Sequence, residues 1–189
     1  GMKQKIIALL LTFSALLTFA SSVVHAEDKA TPVKSKYVIS SDSSFAPFVF
    51  QDNNNQYTGI DMDLIKAIAK DQGFNITIKN PGFDVALNDV QTGHADGMIA
   101  GMTVTDARKK TFDFSDSYYS ANSILAVAKS STISSYEDLK GKTVGVKNGT
   151  SSQTFLTDNQ KKYGYKIKTF SDGASLYDSL NSGSVAAIM

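Results

Sequence analysis

The sequence contains no cysteine. That excludes disulfides, a thiol nucleophile, a thiolate metal site and an acylated lipoprotein cysteine. Histidine is nearly absent too. His25 lies in an apolar leader and His94 stands alone in "QTGHAD". A metal site needs several ligands, so no metal is expected, and His94 reads as a surface residue after a helix. There is little net charge. The formal value is +1, and setting aside Lys3 and Lys5 of the leader leaves 17 basic residues against 18 acidic ones. A nucleic-acid partner would need a basic face, so that class is set aside. No serine sits in a nucleophile elbow, and no repeat or low-complexity tract occurs beyond the leader. "GKT" at 141–143 resembles the end of a phosphate loop, but the glycine required five residues before Gly141 is Tyr136. The stretch reads as a turn between helix and strand, and no cofactor is expected. "NIT" (75–77) and "NGT" (148–150) match a glycosylation sequon too short to carry weight.

What is present is ordinary globular material. The chain has 189 residues, 42% of them hydrophobic and 20% charged, which fits one large domain or two small lobes. Residues 1–26 are expected to be a secretory signal. Lys3 and Lys5 open it, Ile6 to Val24 carries no charge, and "VHA" puts small residues before Glu27. The uncharged stretch is near the length of a membrane anchor, but the small residues favour cleavage. Either way the remainder is exported, to the periplasm or the outer face of the cytoplasmic membrane. Without disulfides, such a domain relies on its core.

Residues 27–36 are polar, contain Pro32 and read as a linker. "YVISS" (37–41) is a short strand, "SFAPFVF" (44–50) an aromatic loop turning into a strand, and "QDNNNQYTG" (51–59) a polar turn. Gly59 to Gln72 is the clearest helix, with Ile60, Leu64, Ile65 and Ile68 on one apolar face and Asp61 and Asp63 in its first turn. "NITIK" (75–79) alternates as a strand, Asp84 to Thr92 is a helix, and "GMIAG" (97–101) a short buried strand. This alternation predicts a parallel sheet covered by helices. "SILAVAK" (123–129) is an extended run leaving that unit, and a second α/β pattern follows. A helix and turn occupy "SSYEDLKGK", strands "TVGVK" (143–147), "YKIKTF" (165–170) and "SVAAIM" (184–189), and helices Ser151–Tyr163 and Ala174–Ser182. The expected units are therefore 37–122 and 123–189.

In parallel sheets, ligands bind beyond the carboxyl ends of the strands. "SSDSSF", "NPGFD" and "AGMTVT" are three such ends in the first unit. Thr105 is a plausible helix N-cap. Backbone amides there, a threonine hydroxyl and Arg108 would suit a carboxylate. Asp42, Phe45 and Phe83 would converge on the same edge, which fits a small zwitterion. In the second unit Lys147 ends a strand, Gly149 permits a turn, and Thr150 and Ser151 can cap the next helix, giving a second set of amide donors. Taken alone, each of these also reads as an ordinary solvated charge or turn.

Four stretches carry a resemblance. "SDSSFAPFVF", "YTGIDMDLIKAIAK", "AGMTVTDARKKTFDFSDSYY" and "DLKGKTVGVKNGTS" occur in this order and at the expected distances. From about Lys36 to Met189 the chain resembles the polar amino-acid-binding proteins of ABC importers, with the α/β, two-lobed type II periplasmic-binding-protein fold. The resemblance implies that Arg108 pairs with a ligand α-carboxylate, assisted by the amides of Thr103 and Ser151. The Gly101 carbonyl and the Thr103 hydroxyl would accept from the α-ammonium. Phe45 and Phe83 would pack on the side chain, and Asp42 and Lys147 would meet its polar end. Relatives for cationic amino acids tend to carry an uncharged residue where Lys147 stands. A donor and acceptor pair there most resembles the glutamine-binding members, with glutamate and asparagine as near competitors. An ABC permease is the implied partner and a monomer the expected state.

The family's acidic clamp for the α-ammonium belongs just after "SVAAIM", where this chain ends, and Ala186 stands where many members have aspartate. The second lobe is therefore expected to be incomplete, and a permease fusion or a free protein are the expected contexts. Two alternatives stay open: an enzyme on the same fold, for which Asp42 is the only carboxylate the sequence puts in the cleft, and the binding domain of a receptor.

Overall fold

The computed structural model describes residues 33–189. The expected signal and most of the expected linker lie outside the described residues. In chain order the elements are β1 (Lys36–Ser40), β2 (Phe50–Gln51), β3 (Tyr57–Thr58), α1 (Ile60–Gln72), β4 (Asn75–Lys79), α2 (Phe83–Gln91), β5 (Gly97–Met98), α3 (Asp106–Lys109), β6 (Ala126–Val127), β7 (Thr143–Lys147), α4 (Ser151–Tyr163), β8 (Lys166–Phe170), α5 (Gly173–Asn181) and β9 (Ala187–Ile188). A single 3-10 turn, Tyr136–Leu139, precedes β7.

The strands form two larger sheets and the two-stranded β2–β3 pair. The first has the order β4-β1-β5, all parallel, with Lys36 opposite Asn75 and Ile39 opposite Gly97. The second has the order β6-β9-β7-β8, in which only β6 runs antiparallel to its neighbour. Parallel neighbours require a covered crossover, and the amphipathic helices supply it. The second core is built from Leu139, Val144, Val146, Leu156 and Ala187, each with 0% exposure, with Tyr165 packed beside them. Val49, Met62, Ala86 and Ala100 are buried in the first unit.

Local chemistry explains most boundaries. Gly73 and Gly164 adopt the left-handed conformation that ends α1 and α4. Thr105, Thr150 and Asp172 cap α3, α4 and α5 by accepting from backbone N–H groups one turn on.

Several expectations need correction. The buried residues of α1 are Asp61, Met62 and Ala69, while Ile60 and Ile68 are 37% and 40% exposed. The face that meets the sheet is rotated from the one the isoleucines suggest, because Asp61 is drawn inward by partners distant in sequence. The polar turn at 51–59 is the β2–β3 hairpin, with Phe50 opposite Thr58. The strands expected at 97–101, 123–129 and 184–189 each pair over only two residues. Gly101, at φ 55°, turns the chain soon after β5. Residues 112–125 belong to no helix or strand. Tyr119 packs edge-on to Phe48 of the first unit, 4.8 Å between ring centres, and the Ser123 hydroxyl meets that of Ser152 in the second, at 2.8 Å. The chain passes from one lobe to the other between these two anchors.

Candidate functional site

The carboxyl ends of β1, β4, β5, β7 and β8 face one another across a cleft between the lobes. Asp42 follows β1 and is 1% exposed. One carboxylate oxygen accepts from the Ser43 N–H at 2.7 Å, and the other accepts from the Lys147 ammonium at the end of β7. Lys147 is itself 7% exposed. It also donates to the Ser44 carbonyl at 3.1 Å and lies 5.5 Å from the centre of the Phe45 ring. Asp42 and Lys147, 105 residues apart, thus neutralise one another across the cleft.

Arg108 makes the second bridge. Its guanidinium donates to the Thr103 carbonyl at 2.8 Å in its own lobe and to the Gly149 carbonyl at 2.9 Å in the other. It lies 5.5 Å from the centre of the buried Phe83 ring. Burial lowers its pKa from the usual guanidinium value, yet arginine stays protonated in proteins. Its own backbone N–H is fixed by the Thr105 cap at 3.1 Å. The Thr103 side chain is exposed; its carbonyl, not its hydroxyl, holds Arg108.

The loop after β7 is tied down locally. The Thr150 hydroxyl donates to the Lys147 carbonyl at 2.7 Å and accepts from the Gln153 N–H at 3.2 Å. The Gln153 side chain accepts from the Gly149 N–H at 2.7 Å. Ser151 begins α4 at this edge, half-buried.

Further cleft residues were not anticipated. Asp84 accepts from the Asn148 side chain across the cleft, so Asp42 is not the only carboxylate there. Ser44 accepts from the Gly173 N–H at the start of α5, at 2.8 Å. Behind the cleft, Asp61 is fully buried. Its carboxylate accepts from the Gly101 N–H at 2.6 Å and from the Tyr118 hydroxyl at 2.8 Å. Asp61 and Asp84 each look like an acid in a first helical turn. Nothing local distinguishes them from Asp63, which is exposed. A groove of about 420 Å³ on the α1–β4 flank is lined by Gln56, Tyr57, Met62, Lys66, Ile76, Ile78 and Asn80. None of the predicted site residues lines it. Among the described residues no group of three His, Asp or Glu side chains could hold a metal, and no helix is long and apolar enough to cross a membrane.

Chemically, the cleft offers one guanidinium held on two neutral carbonyls, one internally neutralised ion pair, and the two aromatic rings against which these cations lie. Such a surface suits a small polar ligand with a carboxylate.

Residues 37–186 match the bacterial extracellular solute-binding proteins, family 3. The chain is 34% identical over 161 residues to the arginine-binding extracellular protein ArtP of Bacillus subtilis, covering 85% of this chain and 63% of that one. It therefore spans less than two thirds of that relative's length. Among solved structures, the second substrate binding domain of a putative amino acid ABC transporter from Streptococcus pneumoniae is 76% identical, with 81% of this chain and 70% of that one covered and a TM-score of 0.50. The substrate binding domain 2 of Lactococcus lactis GlnP, in an open conformation, is 52% identical over 85% and 70% of the two chains, with a TM-score of 0.52. An ancestral arginine-binding protein bound to glutamine is only 39% identical over 83% and 69%, yet has a TM-score of 0.78. Superposition improves from the open structure to the ligand-bound one although identity falls. In the present structure the lobes are joined by bonds that cross the cleft. With the match running from β1 to the edge of β9, the chain belongs to the bacterial extracellular solute-binding proteins of family 3 and has their two-lobed type II periplasmic-binding-protein fold.

Proposed function

We propose that this chain captures a free polar amino acid, glutamine first and then glutamate or asparagine, by closing its lobes over it, and passes it to the permease of an ABC importer. Arg108 receives the α-carboxylate. A carboxylate offered to Arg108 replaces two neutral carbonyl acceptors with an anionic one that can pair with the guanidinium through two parallel bonds. Gly101, Thr103 and Ser151 lie at the strand end and helix start beside it, and Phe45 and Phe83 flank the ligand stem.

The observation that carries the specificity is the buried Lys147–Asp42 pair. A cationic side chain would meet the Lys147 ammonium, whereas an amide can accept from Lys147 and donate to Asp42. Names of relatives include arginine binders, and the ancestral arginine-binding framework also accepts glutamine. Lys147 tips that framework toward the neutral ligand. A micromolar site needs about 8 kcal/mol. A few hydrogen bonds to charged groups, at about 1.5–3 kcal/mol each, together with burial of the stem, reach that value. Binding without chemistry is favoured because the cleft carboxylates are already engaged, Asp42 by Lys147, Asp84 by Asn148 and Asp172 by the Ser175 N–H.

The test is a thermal melt of the unaltered chain with and without each common amino acid. Saturation at a hundred times Kd adds about 2.7 kcal/mol. Glutamine should raise the transition and lysine and arginine should do little. A larger shift with arginine refutes the specificity. A cooperative melt that no amino acid moves refutes the binding role.

A further inference from the structure

Asp61 is an ionisable group that carboxylate recognition by Arg108 does not use. It is fully buried, and its partners among the described residues are two neutral donors, the Gly101 N–H and the Tyr118 hydroxyl. A carboxylate buried without a counter-ion is costly. The amino end of α1 offsets only part of that cost. Burial pushes its carboxyl above the usual carboxylate range, against the pull of the Tyr118 and Gly101 bonds. An asparagine would satisfy both partners without the charge. Its amide oxygen can accept from Gly101, and its amide nitrogen can donate to the Tyr118 oxygen.

The location gives the charge a use. Gly101 turns at φ 55°, and a Cβ there would stand 2.7 Å from the Phe45 ring and 2.9 Å from the Phe48 ring. The turn is therefore closely packed against the aromatic loop. The Asp61 backbone N–H also bonds the Phe48 carbonyl at 2.9 Å, so one residue fixes both sides of that packing. Tyr118 lies in the segment that leads out of the lobe.

We propose that Asp61 is the positioning residue for ligand ammonium binding: it holds the Gly101 turn by its N–H and places a carboxylate without a counter-ion among the described residues at that turn. The ligand's α-ammonium is the cation that this charge lacks. The inference rests on the amino-acid-binding reading above.

The test compares glutamine with glutaramate, the same molecule without its α-amino group, by calorimetric and competition titration of the full chain. Asp61→Asn should weaken glutamine about tenfold and weaken glutaramate far less, so the ratio of the two affinities narrows. A merely structural role would weaken both alike, and an unchanged ratio overturns the proposal. If Asp61→Asn does not melt cooperatively, the Asp61 carboxyl carbon resonance in the unaltered chain decides. Glutamine should shift it more than glutaramate does, and equal shifts overturn the proposal. If the unaltered chain binds no amino acid, the parent reading falls and takes this one with it. If it binds glutamine, loses it in Arg108→Ala and keeps the ratio in Asp61→Asn, only the role of Asp61 falls.

Discussion

Alanine at position 173 would place its methyl carbon 2.7 Å from the Ser44 carbonyl oxygen, 3.3 Å from the Ser44 hydroxyl and 3.7 Å from the Ser44 carbonyl carbon. Apart from its own chain neighbours and helix backbone, the three nearest atoms thus all belong to the opposite lobe. The obstructing atom is backbone and already accepts from Lys147, so it cannot swing away. Overpacking of this kind costs about 1–3 kcal/mol, and here the cost falls on the closed state alone. At the start of α5, alanine is roughly 0.5–1 kcal/mol better than glycine for the helix. Gly173→Ala should therefore leave the unliganded melting temperature unchanged or slightly higher. A closure penalty of about 1–3 kcal/mol should weaken glutamine roughly 5–150-fold. The lobe separation can be read independently of any ligand. The chain has no native cysteine, so dye pairs at exposed Lys70→Cys and Asp158→Cys report on opening. The reasoning is refuted if Gly173→Ala binds within twofold of the parent and shows the same dye distance.

Lys147→Leu should weaken glutamine by at least about tenfold, because closure would bury Asp42 without a partner. Cationic amino acids should suffer less, since their side chains can replace the lost ammonium; an unchanged ligand order by titration would refute the specificity argument. Arg108→Ala should abolish measurable binding, and calorimetry showing undiminished affinity would remove the carboxylate assignment. Asp172→Ala should cost about 1 kcal/mol in urea unfolding at neutral pH, the usual worth of an N-cap. The Ser175 N–H holds the Asp172 carboxyl below its ordinary range. A depressed folded pKa adds stability above the unfolded value of about 3.9 and loses it as pH falls through the folded one. The gap between mutant and parent should therefore close in acid, and a gap that persists at pH 2 would refute the cap argument.

The fold was legible where one short stretch held the whole signal. β4 alternates over five residues and spans Asn75–Lys79 as expected. β7 and α4 likewise have the expected limits, Thr143–Lys147 and Ser151–Tyr163, the latter between a Thr150 cap and a Gly164 stop. Short strands were overestimated because apolar runs continue past the point where a partner strand ends. In the site, strand ends put Asp42, Phe45, Phe83 and Arg108 on one edge and Lys147 on the edge of the other unit; that Asp42 and Lys147 would meet at a ligand's polar end was an implication of the resemblance. Their direct pairing followed from neither, because it depends on how far the lobes close. Asp61 was illegible for a similar reason: its partners lie 40 and 57 residues away. From the sequence alone, Asp61 and Asp63 serve the helix equally.

The segment 112–125 has a mechanical consequence. It carries no ladder bonds, so rotating one lobe about it breaks no strand pairing. Among the described residues, opening then breaks the hydrogen bonds that cross the cleft: Lys147 to Asp42 and to the Ser44 carbonyl, Arg108 to Gly149, Asn148 to Asp84 and Gly173 to Ser44. The lobes behave as two rigid plates on a soft joint, with their rest angle set by these fasteners. Weakening one fastener changes the angle distribution while each plate keeps its own melting behaviour. Hydrogen exchange would register that as a change confined to the facing loops.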